Sequence, residues 1–305
     1  MGFSKLQEVS VIVVSDYNGV HSNHKSWADQ RHILTTLANQ DFKEPFDVVL
    51  VENDAFRDAV PSDLKTIIPN LKIFFSPCTR SAELKDYGVS LTSSPFVAVL
   101  EADCVLNVEW LRVLVEVLRQ YPYVAAVSGK TIYGTSNLWQ RSFSLLDRAY
   151  MDLGHLGLTK NLSNNSALYR RELLEQYPYP QAGSPFVSAS LRLKDIGRNG
   201  HVLFFEPRAV VIHAFGWKLE QDLRRNIGFL HMTMVAKKQL SIIPKILMKN
   251  LWREACHCKR IGGKYLRWFD WPVALVLLVL VRFLEIPGMI HALRKKETVP
   301  GTSYR

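Results

Sequence analysis

Residues 96–100 form an apolar run, Phe-Val-Ala-Val-Leu, that stops at two carboxylates, Glu101 and Asp103, with Ala102 between them. Acids at the carboxyl end of a buried strand lie where open α/β sheets bind ligands. Two oxygen donors one residue apart can share a hard divalent cation already held by a diphosphate. The chemistry implied is the holding of a metal-bound nucleotide. The same triplet also makes an ordinary solvated turn between a strand and a helix, so its surroundings decide its meaning.

Those surroundings alternate between strand and helix signals. Residues 9–15 are a continuous, largely β-branched run followed by the turn residues Asp16, Asn18 and Gly19, which predicts a central parallel strand. Helical patterning over 26–39 leads to a second strand at 47–51, ending in Glu52-Asn53-Asp54, and to a third at 71–75. A helix over 82–93 precedes the strand at 96–100. An amphipathic helix over 108–120, closed by Tyr121-Pro122, follows it. The pattern predicts an α/β chain built on one doubly wound, Rossmann-like nucleotide-binding sheet.

Over the first two thirds of the chain these residues resemble the family 2 glycosyltransferases, whose fold is called GT-A. Residues 9–18, Val-Ser-Val-Ile-Val-Val-Ser-Asp-Tyr-Asn, are similar to the family's opening strand and Tyr-Asn turn, with one shifted position. Glu52-Asn53 stands where the family has the acid that contacts the nucleobase, and Glu101-Ala102-Asp103 stands for its Asp-x-Asp motif. Residues 164–172, Asn-Asn-Ser-Ala-Leu-Tyr-Arg-Arg-Glu, resemble the acceptor-side segment with its Ala-x-x-Arg-Arg at a helix start, and 201–213 a closing strand pair ending in His213.

The resemblance implies a GT-A mixed sheet and a nucleotide-sugar donor bound through Glu52, Asn53, Glu101 and Asp103. It also implies Mn²⁺ or Mg²⁺ held by Asp103 and His213, neutralising charge on the departing diphosphate, and an inverting transfer. Gln221-Asp222-Leu223-Arg224-Arg225 resembles the family's Gln-x-x-Arg-Trp, with Arg225 replacing Trp, and makes Arg224 a diphosphate contact. A helical charge cluster is the other reading of that segment.

One departure concerns the general base. Family members carry an acid shortly before a Leu-x-x-Arg-Leu helix, here residues 189–193, but residues 183–188, Gly-Ser-Pro-Phe-Val-Ser, contain no carboxylate. Losing a positioned base costs on the order of a hundredfold to ten-thousandfold in rate. Three readings stay open: an acceptor already ionised, such as a lipid phosphate; another acid, with Asp152, Glu172 and Asp195 the nearest in sequence; or a catalytically silent nucleotide-sugar-binding protein. A nucleotidyltransferase on the same sheet is a weaker alternative, because His21-Ser22-Asn23-His24-Lys25 makes a poor phosphate loop.

Charge is unevenly distributed. From residue 237 onward there are 14 Lys and Arg against 4 Asp and Glu, and this segment carries the whole net charge of +10. Residues 237–267 mix those cations with Ile242, Ile243, Leu247, Leu251 and Trp252, as an interfacial helix does. Residues 272–281 are densely apolar and are followed by Arg282 and Glu285. A spanning helix needs about 20 apolar residues, so this run either spans with Arg282 snorkelling or lies in the interface. A core helix with solvated cations is the plainer reading.

The chain is thus expected to hold a GT-A domain over 1–217, a basic amphipathic segment over 218–267, and an apolar membrane-associated helix with a basic tail over 268–305. Its partners would be a nucleotide-sugar, a glycan or lipid-phosphate acceptor and a membrane surface, with no nucleic acid. Cys78, Cys104, Cys256 and Cys258 lack paired spacing and read as free thiols, and no signal peptide is recognisable. This places the enzyme at the cytoplasmic face of a membrane, peripheral or with one C-terminal membrane helix.

Overall fold

A computed structural model describes residues 7–15, 27–181, 185–235 and 239–294. The turn residues Asp16, Asn18 and Gly19, the segment 21–25, Gly183, Ser184, Lys237, Lys238 and the basic end from 295 lie outside the described residues. In chain order the elements are β1 (Val9–Val14), α1 (Ala28–Ala38), β2 (Asp47–Asn53), α2 (Leu64–Ile67), β3 (Lys72–Ser76), α3 (Ser81–Ser90), β4 (Phe96–Glu101), β5 (Cys104–Leu106) and α4 (Trp110–Gln120). There follow β6 (Val124–Ile132), α5 (Leu138–Phe143), β7 (Gly157–Leu158), β8 (Ala167–Arg170), α6 (Arg171–Gln176), α7 (Pro185–Arg198), β9 (Val202–His213), α8 (Trp217–Thr233), α9 (Ile243–Ile261) and α10 (Trp271–Arg294).

The chain forms two compact units. The first comprises residues 1–132, 151–181 and 188–214 and contains the nine-stranded sheet, in the order β3-β2-β1-β4-β8-β6-β9-β5 with β7 added on β9. β1 pairs in parallel with both β2 and β4, and all six of its side chains are buried, as its β-branched run requires. Its alternate residues feed the two faces. Val11 and Val13 join Leu34, Trp110 and Leu114 on one side, while Ile12 and Val14 join Leu84, Tyr169 and Ile196 on the other. Each fully buried aliphatic side chain contributes about 1.5–3 kcal/mol. β8 runs antiparallel to β4 and β6, so the sheet is mixed.

Two details differ from the sequence reading. A three-residue strand, β5, lies directly after the acid pair, too short to carry a period. The expected closing strand pair is one strand of twelve residues, β9. Pro207 has no N–H to give, and the strand accommodates it by a shift in register: Gly129 faces Glu206 while Lys130 faces Val210. The bulged chain crosses so near that a Cβ on Gly129 would meet the Ala209 carbonyl at 2.2 Å, which only glycine permits.

The second unit comprises residues 133–150, 182–187 and 215–305 and holds α5, α8, α9 and α10. Its boundary at 214/215 lies close to residue 217, but the unit also includes 133–150. A buried two-pronged pair explains this, with Arg141 Nε and Nη2 donating to Asp270 at 2.7 and 2.9 Å. Glycines let α8 and α10 touch backbone to backbone, since a Cβ on Gly228 would meet the Glu285 carbonyl at 2.0 Å and one on Gly288 the Arg225 carbonyl at 1.8 Å.

The segment Trp268–Arg294 is long and apolar enough to cross a membrane, with a mean hydropathy of 2.3. Asp270, Arg282 and Glu285 point inward, while Arg294 at its end is exposed. Arg282 is buried against Glu254 at 2.6 Å and Glu285 at 2.9 Å, so it does not snorkel. Leu275, Val276, Val279, Leu280 and Phe283 instead face outward, 43–59% exposed. On α9 the exposed residues include Lys245, Met248, Lys249, Trp252, Arg253, Lys259 and Arg260, a basic stripe carrying apolar side chains.

Candidate active site

The acid pair lies at the carboxyl end of β4, in register with the end of β1, where Val14 faces Glu101. The last backbone link of the site is made by β9: Cys104 lies opposite His213, and the Ala214 N–H donates to the Asp103 carbonyl at 3.1 Å. This brings His213 Nε2 to 3.7 Å from Asp103 Oδ1 and 3.5 Å from Glu101 Oε2. His213 Nδ1 lies 2.8 Å from the Ala214 carbonyl, which can only accept, so Nδ1 carries a proton and Nε2 is turned toward the two acids.

The two acids have different environments. Glu101 receives Lys85 Nζ at 2.7 Å and Asn165 Nδ2 at 3.3 Å, and Lys85 is fully buried. Burial pushes the Glu101 carboxyl up, but Lys85 first and His213 second outweigh it and hold Glu101 far below the usual carboxylate range. Asp103 keeps a side chain 15% exposed. Its carboxylate, the Cys104 thiol and His213 offer ligand atoms that all lie within 4.8 Å of one another, a donor set that fits a divalent cation.

Further along the sheet, Glu52 is buried beneath Ser15 and Gln30. Ser15 Oγ donates to it, as does Gln30 Nε2 at 2.9 Å. Asn53 ties the end of β2 to the chain after β3, donating to the carbonyls of Ser76, Pro77 and Cys78 at 3.3, 3.2 and 3.0 Å and accepting from Ala55 N–H. Of the three sequence candidates for a base, Asp152 is buried with Lys130 Nζ at 3.0 Å, Glu172 is exposed on α6, and Asp195 is exposed beside Arg198. Arg224 belongs to the second unit, where it donates to Glu220 at 2.6 Å and to Asp147, with Glu285 at 3.6 Å.

Sequence reasoning missed Lys85, Asn165 and Cys104. For Lys85 a signal existed: it falls on the buried stripe of α3 with Ser81, Ala82, Leu84, Gly88 and Val89, where a cation needs a partner.

Carboxylates and an imidazole stand together at the strand ends of a mixed, doubly wound sheet, an α/β architecture of the GT-A type. The profile described as glycosyl transferase family 2 matches residues 20–178, about half of the chain, and the chain belongs to that family. Among solved structures, it is similar to the mannosyltransferase PcManGT from Pyrobaculum calidifontis, determined in complex with GDP-Man and Mn²⁺, at 18% identity and a TM-score of 0.61, covering 96% of this chain and 89% of that one. It is also similar to S. aureus TarS 1-349, at 15% identity and a TM-score of 0.50, covering 94% and 89%. Both likenesses concern the fold. No curated protein sequence matches the chain.

Proposed function

We propose that this chain transfers a sugar from a nucleotide-sugar to an acceptor at a membrane surface, in a divalent-metal-dependent and inverting reaction. The observation that carries the reading is the convergence of Asp103 and His213 at the strand ends of a family 2 sheet. PcManGT, of similar fold, is seen with GDP-Man and Mn²⁺, which supports a donor and a metal of this kind. A cation bound there would neutralise the charge that develops on the leaving diphosphate. Asp103 and His213 would hold it, and Lys85 keeps Glu101 ionised and fixed for donor hydroxyls. Glu52 would bear on the base through the Ser15–Gln30 network in which it is buried.

The sequence before residue 189 lacks the family's acid, which favours an acceptor oxygen that is ionised at neutral pH, such as a lipid phosphate. The second unit supports the same location. In water a helix turns its charges outward; α10 turns Arg282 and Glu285 inward and presents apolar side chains, notably Leu275, Val276, Val279 and Phe283, as a lipid-facing helix does.

Calorimetric titration of UDP, GDP, CDP and dTDP into the protein with Mn²⁺, with EDTA and in Asp103→Ala tests the donor half. One nucleotide should bind with metal and lose binding in the variant. Failure of every nucleotide with folded protein would leave only the fold. Binding without sugar transfer or donor hydrolysis would instead favour the silent binding protein.

A further inference from the structure

We propose that Cys104 is a third protein ligand of this cation centre, so that the site takes Co²⁺ or Zn²⁺ in marked preference to Mg²⁺. The proposal rests on the metal-dependent reading above and adds to it a thiolate. β5 and β9 are antiparallel, and Cys104 and His213 are direct partners across them. Direct partners point their side chains to the same face. The thiol therefore stands beside the imidazole whose Nε2 faces Asp103.

Distances agree with this placement. Around one ion, with bonds of about 2.0–2.3 Å, ligand atoms at tetrahedral angles stand roughly 3.3–3.8 Å apart. Asp103 Oδ1 lies 3.7 Å from His213 Nε2, inside that range, and 3.9 Å from Cys104 Sγ, just above it, so a small closure of the thiol toward the ion completes the set. The proton on His213 Nδ1 is fixed by Ala214, the outer contact that orients a ligating imidazole. Packing alone would also bury a cysteine, which behaves as a small apolar side chain, and Cys104 does line the core with Ala102 and Leu106. What packing does not require is its place in one cluster with an imidazole and a carboxylate.

The chemistry follows from the donor set. Mg²⁺ seeks six oxygens in octahedral array, whereas an O, N, S set suits a borderline ion. On binding, the thiol proton passes to solvent and the thiolate donates its electron pair to the ion.

The experiment titrates Co²⁺ into the full chain carrying Cys78→Ser and Cys256→Ser, alone and with GDP or UDP, and reads near-ultraviolet absorption. A thiolate-to-cobalt charge-transfer band is expected. In Cys104→Ser, and in Cys104→Ala as a second variant, the band should vanish while calorimetry still detects Co²⁺. The Zn²⁺-over-Mg²⁺ preference should fall by about tenfold or more. Cobalt bound in an Asp103-dependent way with no such band, or with a band that survives both Cys104 substitutions, would overturn the thiolate ligand and leave the metal reading standing. No cobalt bound under any of these conditions would overturn both.

Discussion

Glu101 illustrates how one side chain can depend on another. Its charge is tolerable in a closed site chiefly because Lys85 reaches it from α3, with His213 and Asn165 adding to the effect. Removing one member of a buried pair strands the other, so Lys85→Met should lower stability by about 3–5 kcal/mol, and adding Glu101→Gln should restore much of it; denaturant melts of the two variants beside the unsubstituted protein measure this. The sign with pH is fixed by the depressed Glu101 value: the stabilisation is complete above the ordinary carboxyl value of 4.5 and is lost as pH falls well below it. Lys85→Met should therefore destabilise most near neutrality and least in acid. Motif order named Asp103 and His213 as one pair, and the fold brings their side chains to 3.7 Å from each other. Lys85 stood out only as a cation on an otherwise small and apolar stripe of α3, and its contact with Glu101 becomes visible only once α3 is laid on the sheet. Arg224 was read from a short motif, whereas its surroundings are carboxylates contributed by α8, α10 and residue 147.

At the scale of elements, strands announced themselves wherever both faces are buried, as in β1, β2 and β4, since continuous apolar runs have few other uses. β5 escaped because three residues between acids and a helix carry no period, and β9, expected as a strand pair from the family resemblance, runs through Pro207 as one strand. The glycines at the α8–α10 contact were equally silent in sequence. Gly228→Ala or Gly288→Ala must push apart two helix backbones, and overpacking of this kind costs about 1–3 kcal/mol. Each substitution should lower the melting temperature and loosen α8 and α10, seen as faster amide exchange in those helices. Gly263→Ala, with open space around its Cβ position, serves as the comparison.

For the whole molecule, the excess of positive charge and the outward apolar face of α10 predict binding to anionic vesicles. Flotation with phosphatidylserine liposomes should retain the protein at low salt and release part of it at high salt. Neutralising Lys245 and Lys249 should weaken retention by about 1 kcal/mol each, and Phe283→Glu should weaken it without unfolding the chain because that side chain is exposed. Protein left wholly in the aqueous fraction would refute membrane contact. The tail's charge and apolarity were plain in composition. The inclusion of residues 133–150 in the second unit was not, since it depends on Arg141 meeting Asp270, 129 positions further along the chain.

The pairing of β5 with β9 also sets an order of events during synthesis. Asp103 emerges from the ribosome early, yet His213 follows about 110 residues later, after β6, β8 and α7. The pairing closes a long loop, and contacts of that kind form slowly. A nascent chain halted before β9 would own the acids but not the imidazole that stands beside them in the folded sheet. The proposed cation site would thus be completed only when β9, the last strand among the described residues, has joined the sheet.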